Sequence, residues 1–197
     1  MNYFNRLIII LASVAALLAP VSSSAGEPTS QLKTTINEFV SILVNTPVEQ
    51  LRSSGLPANA LALIYSRFDF SEMTRRSLGS HWQALASADQ HDFVEAFTQK
   101  LLRAYGRSVR ASGDEKVQYE NESRQGDTAT VETKVVSGNG DELPIDYQMH
   151  DVDGQWKVYD MIIDHVSIVS NYHAQFERVI AQSSRAALLQ RMKDQKS

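Results

Sequence analysis

Residues Trp156–Phe176 read WKVYDMIIDHVSIVSNYHAQF, and the pattern of apolar side chains changes half-way along. The first part, taken from Gln155, carries Trp156, Val158, Met161, Ile162 and Ile163 on both alternating faces. That predicts a strand lying centrally in its sheet and covered on both sides. A short linker, Val166 to Val169, follows. From about Asn171 the apolar residues Tyr172, Phe176, Val179, Ile180 and Ala187 recur at helical spacing. The basic, polar end from Arg191 to Ser197 is expected to fray.

Upstream of this stretch the period is two. Val117 and Tyr119, then Ala129, Val131, Thr133 and Val135, then Leu143, Ile145, Tyr147 and Met149 mark three strands. Gly126-Asp127, Gly138-Asn139-Gly140-Asp141 and Asp151-Val152-Asp153-Gly154 separate them, and all favour tight reversals, so the strands form a consecutive antiparallel meander. Before Gly113 the period is helical. Leu32, Ile36, Phe39, Val40 and Leu43 share one side of a helix that stops before Pro47, and a short helix follows Pro57. Ser71 is expected to cap a turn holding Met73 and Leu78, with Gly79 as its terminator. Ser87 with Gln90 spells a capping box that opens a long helix to about Arg110, carrying Phe93, Phe97, Leu101 and Tyr105. The order of elements predicts an α+β fold: a helical N-terminal half, an antiparallel sheet and a closing C-terminal helix.

The N-terminus has Arg6, an apolar run from Leu7 to Leu18, Pro20 and the small-residue stretch Val21 to Ala25. This has the form of a secretory signal peptide cut before Gly26. Its apolar run is shorter than the roughly 20 residues a permanent span needs. Residues 26–197 then form one domain, of a size that buries a core without staples. The formal charge of -4 becomes -5 when Arg6 is removed, which argues against nucleic acid as a partner and for a soluble product. The chain has no cysteine, so disulfides, thiol catalysis, thiolate metal sites and lipoprotein attachment are all excluded.

Motifs for catalysis are sparse. There is no G-x-S-x-G, HExxH, P-loop or GxGxxG, and the five histidines never pair at metal-ligand spacing, so no metal or cofactor is expected. Asp164-His165-Val166-Ser167 holds the residue types of a hydrolase triad. Neighbours on an extended segment point to alternate faces, however, and cannot form the relay alone. Lys100, Arg103, Arg107 and Arg110 fall within a band of about 80° on the long helix, away from its apolar stripe. This basic face suits an acidic partner or lipid headgroups, or it merely complements the helix dipole. The aromatic and methionine side chains Phe97, Tyr105, Tyr147, Met149, Met161 and Phe176 fit either a solid core or a cavity lining.

The opening stretch, together with FDFSEMTRRSLGSHW (Phe68–Trp82) and the series Phe93, Phe97, Leu101, Leu102, Tyr105, resembles the MlaC family of periplasmic phospholipid carriers, the toluene-tolerance proteins. Phe68, Asp69, Phe70, Leu78, Gly79, Trp82, Trp156 to Asp160, Val166, Ser167, Val169, Asn171, Tyr172, Gln175 and Phe176 match the family pattern in order and spacing. His165 stands where members often have glycine, and His173 where arginine is usual. The resemblance implies a curved, NTF2-like cone of sheet and helices around an apolar cavity for acyl chains. It also implies a monomeric periplasmic carrier, without enzymatic activity, that serves outer-membrane lipid asymmetry. The implied partners are an outer-membrane lipoprotein–porin complex and an inner-membrane ABC transporter with an MCE-domain ring. On the predicted inward faces, the cavity residues would be Phe97, Leu101, Tyr105, Val131, Val135, Tyr147, Met149, Val166, Val169 and Tyr172. Lys100, Arg103, Arg107 and Arg110 would dock partners. An arginine-dependent contact at position 173 would become weaker and pH-dependent with histidine there. Alternatives are a carrier of another hydrophobe, or a periplasmic hydrolase using Asp160 or Asp164 with His165.

Overall fold

The computed structural model describes residues 27–106 and 115–194. The signal-peptide segment, Arg107 and Arg110 lie outside them. Helices α1 (Glu27–Val44), α2 (Val48–Ser54), α3 (Ala58–Arg67), α4 (Phe70–Leu78) and α5 (Ser87–Gly106) precede strands β1 (Lys116–Gln125), β2 (Thr128–Val136), β3 (Glu142–Val152), β4 (Gln155–Ile163) and β5 (Val166–Ser167), and α6 (Ile168–Gln182) and α7 (Arg185–Asp194) close the chain. The sheet is five-stranded, in the order β1-β2-β3-β4-β5, with every neighbour antiparallel. The α+β meander predicted from the sequence is therefore present.

Several local expectations need correction. Asp69, not Ser71, caps α4: its carboxylate accepts from Glu72 N at 2.9 Å. The capping box at Ser87 does not form, because the Gln90 amide donates to Trp82 O at 3.1 Å instead. Strand β4 is not central. Only two residues of β5 flank it, and the rest of its outer edge is closed by Phe68, bridged to Val158, and by Asp69 N, which donates to Val158 O at 2.8 Å. The helix after the sheet begins at Ile168, and the linker before it is the two-residue strand β5. The chain breaks at Ser183 and continues as α7, in which buried Leu188 and Met192 keep the segment to Asp194 helical rather than frayed. Helix α2, which buries no residue, gave no periodic signal.

Register fixes the inner face of the sheet. Ala129 pairs with Met149, Val131 with Tyr147, Val135 with Leu143, Tyr147 with Met161 and Met149 with Val158. The period-2 rule places each of these pairs on one face. Register shifts fall between Tyr119 and Asn121 in β1 and beside Gln148 and Met149 against β4. Such bulges bend and twist the strands that carry them.

Two apolar cores result. One joins α4, α5, α6 and α7 through Met73, Leu78, Phe93, Phe97, Leu101, Tyr172, Phe176 and Met192. The other sets Leu32 of α1 on Ala129, Val131, Tyr147, Met149, Trp156 and Val158. Half-buried Phe68 and Met161 pack against both. Polar ties pin α1 across the sheet: Gln31 Oε1 accepts from Trp156 N at 3.0 Å and from Arg67 Nη1 at 2.9 Å, and Thr29 N donates to Glu122 at 2.9 Å. Gly79 ends α4 at φ +55 and lies against His173 of α6, and a Cβ there would meet the imidazole at 2.7 Å. That close approach is what requires glycine.

Candidate functional site

The candidate cavity residues are divided between the two cores rather than gathered round one space. Phe97, Leu101, Val169 and Tyr172 belong to the helical core, with half-buried Tyr105 packed against it. Val131, Tyr147 and Met149 belong to the sheet core. Val135 is half-buried, and Val166 is 57% exposed on β5, at the edge of the sheet. Val166 is thus not enclosed. The groove of about 580 Å3 between α1 and α3, lined by Asn37, Ser41 and Asn59 among others, touches none of these residues.

The inner face is unevenly covered. Helix α1 roofs the Ala129–Met149–Val158 end, while α4 and α6 approach β4 around Met161 and Ile163. At the opposite end, Val117, Val135 and Leu143 form one cross-strand row, and Ile145, Ile163 and Val166 the next. Leu143 there is 41% exposed. An apolar strip thus runs from half-buried Met161 to the surface. The turn after β4 belongs to this end. Asp164 and His165 both have positive φ, +48 and +65, so that Ile163 can pair with Val166 across a two-residue reversal. Glycine is the natural residue for such a turn; Asp and His tolerate it better than most.

Phenols line the interior. Burial pushes the Tyr105 hydroxyl up, and it pushes Tyr172 up too, with a smaller contribution from Tyr105 itself. Tyr147, in the sheet core, is raised well beyond the usual phenol range by burial and, secondarily, by Tyr119. Tyr119 is pushed up to about 12 by burial, and its hydroxyl is buried with no hydrogen-bond partner. Tyr119→Phe should therefore leave stability unchanged or raise it by up to about 1 kcal/mol, since an orphan hydroxyl is removed. The unfolded phenol ionises near pH 10 and the folded one near 12. Tyrosine at this position accordingly loses stability as pH rises from 10 to 12, and Tyr119→Phe should flatten that fall in urea unfolding curves.

The polar groups are structural. Ser167 Oγ donates to Asp160 Oδ2 at 2.5 Å and accepts from Ser170 N at 3.0 Å, which makes it the cap of α6. His165 stands exposed on its turn, so the sequence neighbours that spelled a hydrolase triad form no nucleophile–base pair. Among the described residues no group of three His, Asp or Glu side chains is placed to hold a metal, and no helix is long and apolar enough to cross a membrane. His173, in the usual arginine position, donates Nδ1–H to Ser77 O at 3.1 Å, and His81 contacts Glu177 at 3.1 Å. Both histidines thereby clasp α6 to the end of α4. The basic face is not a wet outer surface where it is described. Lys100 and Arg103 are half-buried, and the Lys100 ammonium lies over the Tyr172 ring at 5.8 Å. Helix α7 packs against α5, with Met192 and Lys193 beside Arg103, a contact the sequence pattern did not announce.

The family profile described as MlaC protein matches residues 30–194. Among curated proteins, the chain is 23% identical over 147 residues to the toluene tolerance protein ttg2D of Pseudomonas putida, covering 74% of this chain and 61% of that protein. It is 24% identical over 99 residues to the intermembrane phospholipid transport system binding protein MlaC of Haemophilus influenzae, covering 48% of this chain and 46% of that one. The alignments thus span less than two thirds of these relatives. Among solved structures, the phospholipid-binding protein from Ralstonia solanacearum, in complex with a phospholipid, superposes with a TM-score of 0.75 at 23% identity, over 86% of this chain and 96% of the other.

Proposed function

As the chain belongs to the MlaC family, we propose that it is a periplasmic carrier that takes up a phospholipid by its acyl chains and moves it between the outer and inner membranes. The observation that carries this reading is the divided interior. Two apolar cores meet at a seam held by Phe68 and Met161, and the strip Val135–Leu143 and Ile145–Ile163–Val166 leads from that seam to solvent. Acyl chains entering along the strip would part the cores, with Tyr105 and Tyr172 on the helical side and Val131, Tyr147 and Met149 on the sheet side.

The energetics suit a shuttle. Roughly 30 methylenes on two chains represent on the order of 20 kcal/mol relative to water. A bilayer offers nearly the same gain as an apolar protein interior, so exchange at either membrane is close to neutral. No nucleotide-binding motif supplies direction. Direction would come from partners: an outer-membrane lipoprotein–porin complex at one end and an MCE-domain ABC transporter at the other, serving outer-membrane lipid asymmetry. Native mass spectrometry of protein purified without detergent should find a diacyl phospholipid at one per chain. A clean lipid-free mass, with no uptake from labelled vesicles, would sink the proposal.

A further inference from the structure

We propose that the Tyr119 hydroxyl donates a hydrogen bond to an ester carbonyl of the loaded lipid and so selects ester-linked over ether-linked lipids; this rests on the carrier reading above. Tyr119 belongs to the apolar strip by register. It pairs with Thr133, Thr133 with Ile145, Ile145 with Ile163, and Ile163 with exposed Val166. Side chains paired in this way stand on one face of the sheet. Of the two hydroxyls in that row, Thr133 Oγ1 is satisfied, donating to Ile145 O at 2.8 Å. The Tyr119 hydroxyl is buried and has no partner among the described residues. Buried donors almost always have an acceptor, and a missing one costs stability. The lipid-free fold therefore gains nothing from this hydroxyl, in keeping with the neutral or stabilising effect expected of Tyr119→Phe.

The hydroxyl opens on no groove of the lipid-free protein. Its side chain packs on the sheet core, the interior that acyl chains would part. Burial raises the Tyr147 phenol and Tyr119 adds to the rise, so the two phenols lie near each other in that core. Tyr119 as a whole is half-buried, and the ammonium of exposed Lys33 on α1 stands 5.6 Å from its ring centroid. The phenol thus spans the step from water to core. That position selects the acceptor. Glu122, on the same face of β1, is already taken by Thr29 N at 2.9 Å. A phosphate drawn in beside the hydroxyl would have to leave water, whereas a neutral carbonyl loses far less on burial. A glycerophospholipid carries ester carbonyls a few bonds inward of its phosphate. Chains in the core and phosphate in water, near Lys33, therefore bring a carbonyl to the depth of this hydroxyl. An ether linkage has no carbonyl and leaves the donor unmet.

The test loads purified, delipidated protein from vesicles carrying labelled phosphatidylethanolamine with two oleoyl ester chains or with the matching oleyl ether chains. Wild type should take up the diester about fivefold more than the diether, the factor that one net hydrogen bond supplies. Tyr119→Phe should lose that preference by taking up less diester, with diether uptake unchanged. Carbon-13 at the ester carbonyls gives a second readout. Infrared spectra of loaded wild type should show a downshifted, hydrogen-bonded carbonyl component that loaded Tyr119→Phe lacks. Equal uptake of the two lipids by wild type, a preference that survives in Tyr119→Phe, or a carbonyl band identical in the two proteins overturns the proposal and leaves water as the missing acceptor. The carrier reading stands in each of those cases, because lipid is still loaded. Failure of folded wild type to take up either lipid refutes the carrier reading, and the carbonyl contact falls with it.

Discussion

Phe97→Ala should destabilise the lipid-free protein by about 3–5 kcal/mol in urea unfolding, the usual range for truncating a buried phenylalanine. Phe97 is 0% exposed and packs edge-on against Tyr172, with centroids 4.9 Å apart, and against Phe176 at 5.2 Å. Tyr172 and Phe176 themselves stand 5.7 Å apart, so three rings join α5 to α6. Alanine would forfeit the buried area and two aromatic contacts worth about 0.5–1.5 kcal/mol each. The same variant separates packing from ligand binding. If acyl chains enter the helical core, their methylenes can fill the hole, and lipid should stabilise Phe97→Ala more than it stabilises wild type. An equal loss in loaded and empty protein would make Phe97 a packing residue alone and move the lipid to the sheet side.

The elements were legible where one face of a segment is apolar and the other wet. The meander came from Ala129 to Val135 and Leu143 to Met149, whose alternation survives in the observed register. The first helix came from Leu32, Ile36 and Leu43, of which Leu32 and Leu43 are buried. Legibility failed where the decisive partner is distant in sequence. Trp156 to Ile163 is apolar on both faces, and the pattern cannot show that the strand's outer edge is closed by Phe68 and Asp69 instead of by a long neighbour. Arg191 to Asp194 looks like a fraying tail until Met192 is seen buried, with Lys193 paired to Asp92.

The site was legible in the same incomplete way. Periodicity says that Val131 and Leu101 point inward, but it cannot say that they point into different cores. It also assigned Lys100 and Arg103 to an open face, because nothing in α5 itself announces α7. His165 and His173, read as departures from a family pattern, have physical accounts in the structure. The first occupies a left-handed position that favours glycine, and the second caps the end of α4 through Ser77 O.

Asp160→Ala should cost about 2–6 kcal/mol, the largest effect argued for a substitution outside the aromatic cluster. Asp160 is 6% exposed, and its carboxylate accepts from Ser167 Oγ at 2.5 Å and from Val169 N at 3.0 Å. Alanine would leave both donors unpaired, at about 1–3 kcal/mol each. Asp160→Asn keeps one acceptor but turns an amide N–H toward the other donor, so it should lose about half as much. Ser167→Ala removes only the cap and should cost about 0.5–2 kcal/mol. These bonds seat the first turn of α6 on β4, and that turn positions Tyr172 over Phe97. Hydrogen exchange in Asp160→Ala should therefore quicken first at Ile168 to Tyr172, with β1 and β2 unaffected. Uniform quickening would mean that α6 is held by its apolar face and that the carboxylate contributes only to global stability. A hydrolase on this scaffold would need Ser167 or Asp160 free to react. Because each is occupied in seating α6, Ser167→Ala should lower stability and leave any turnover of ester substrates unchanged.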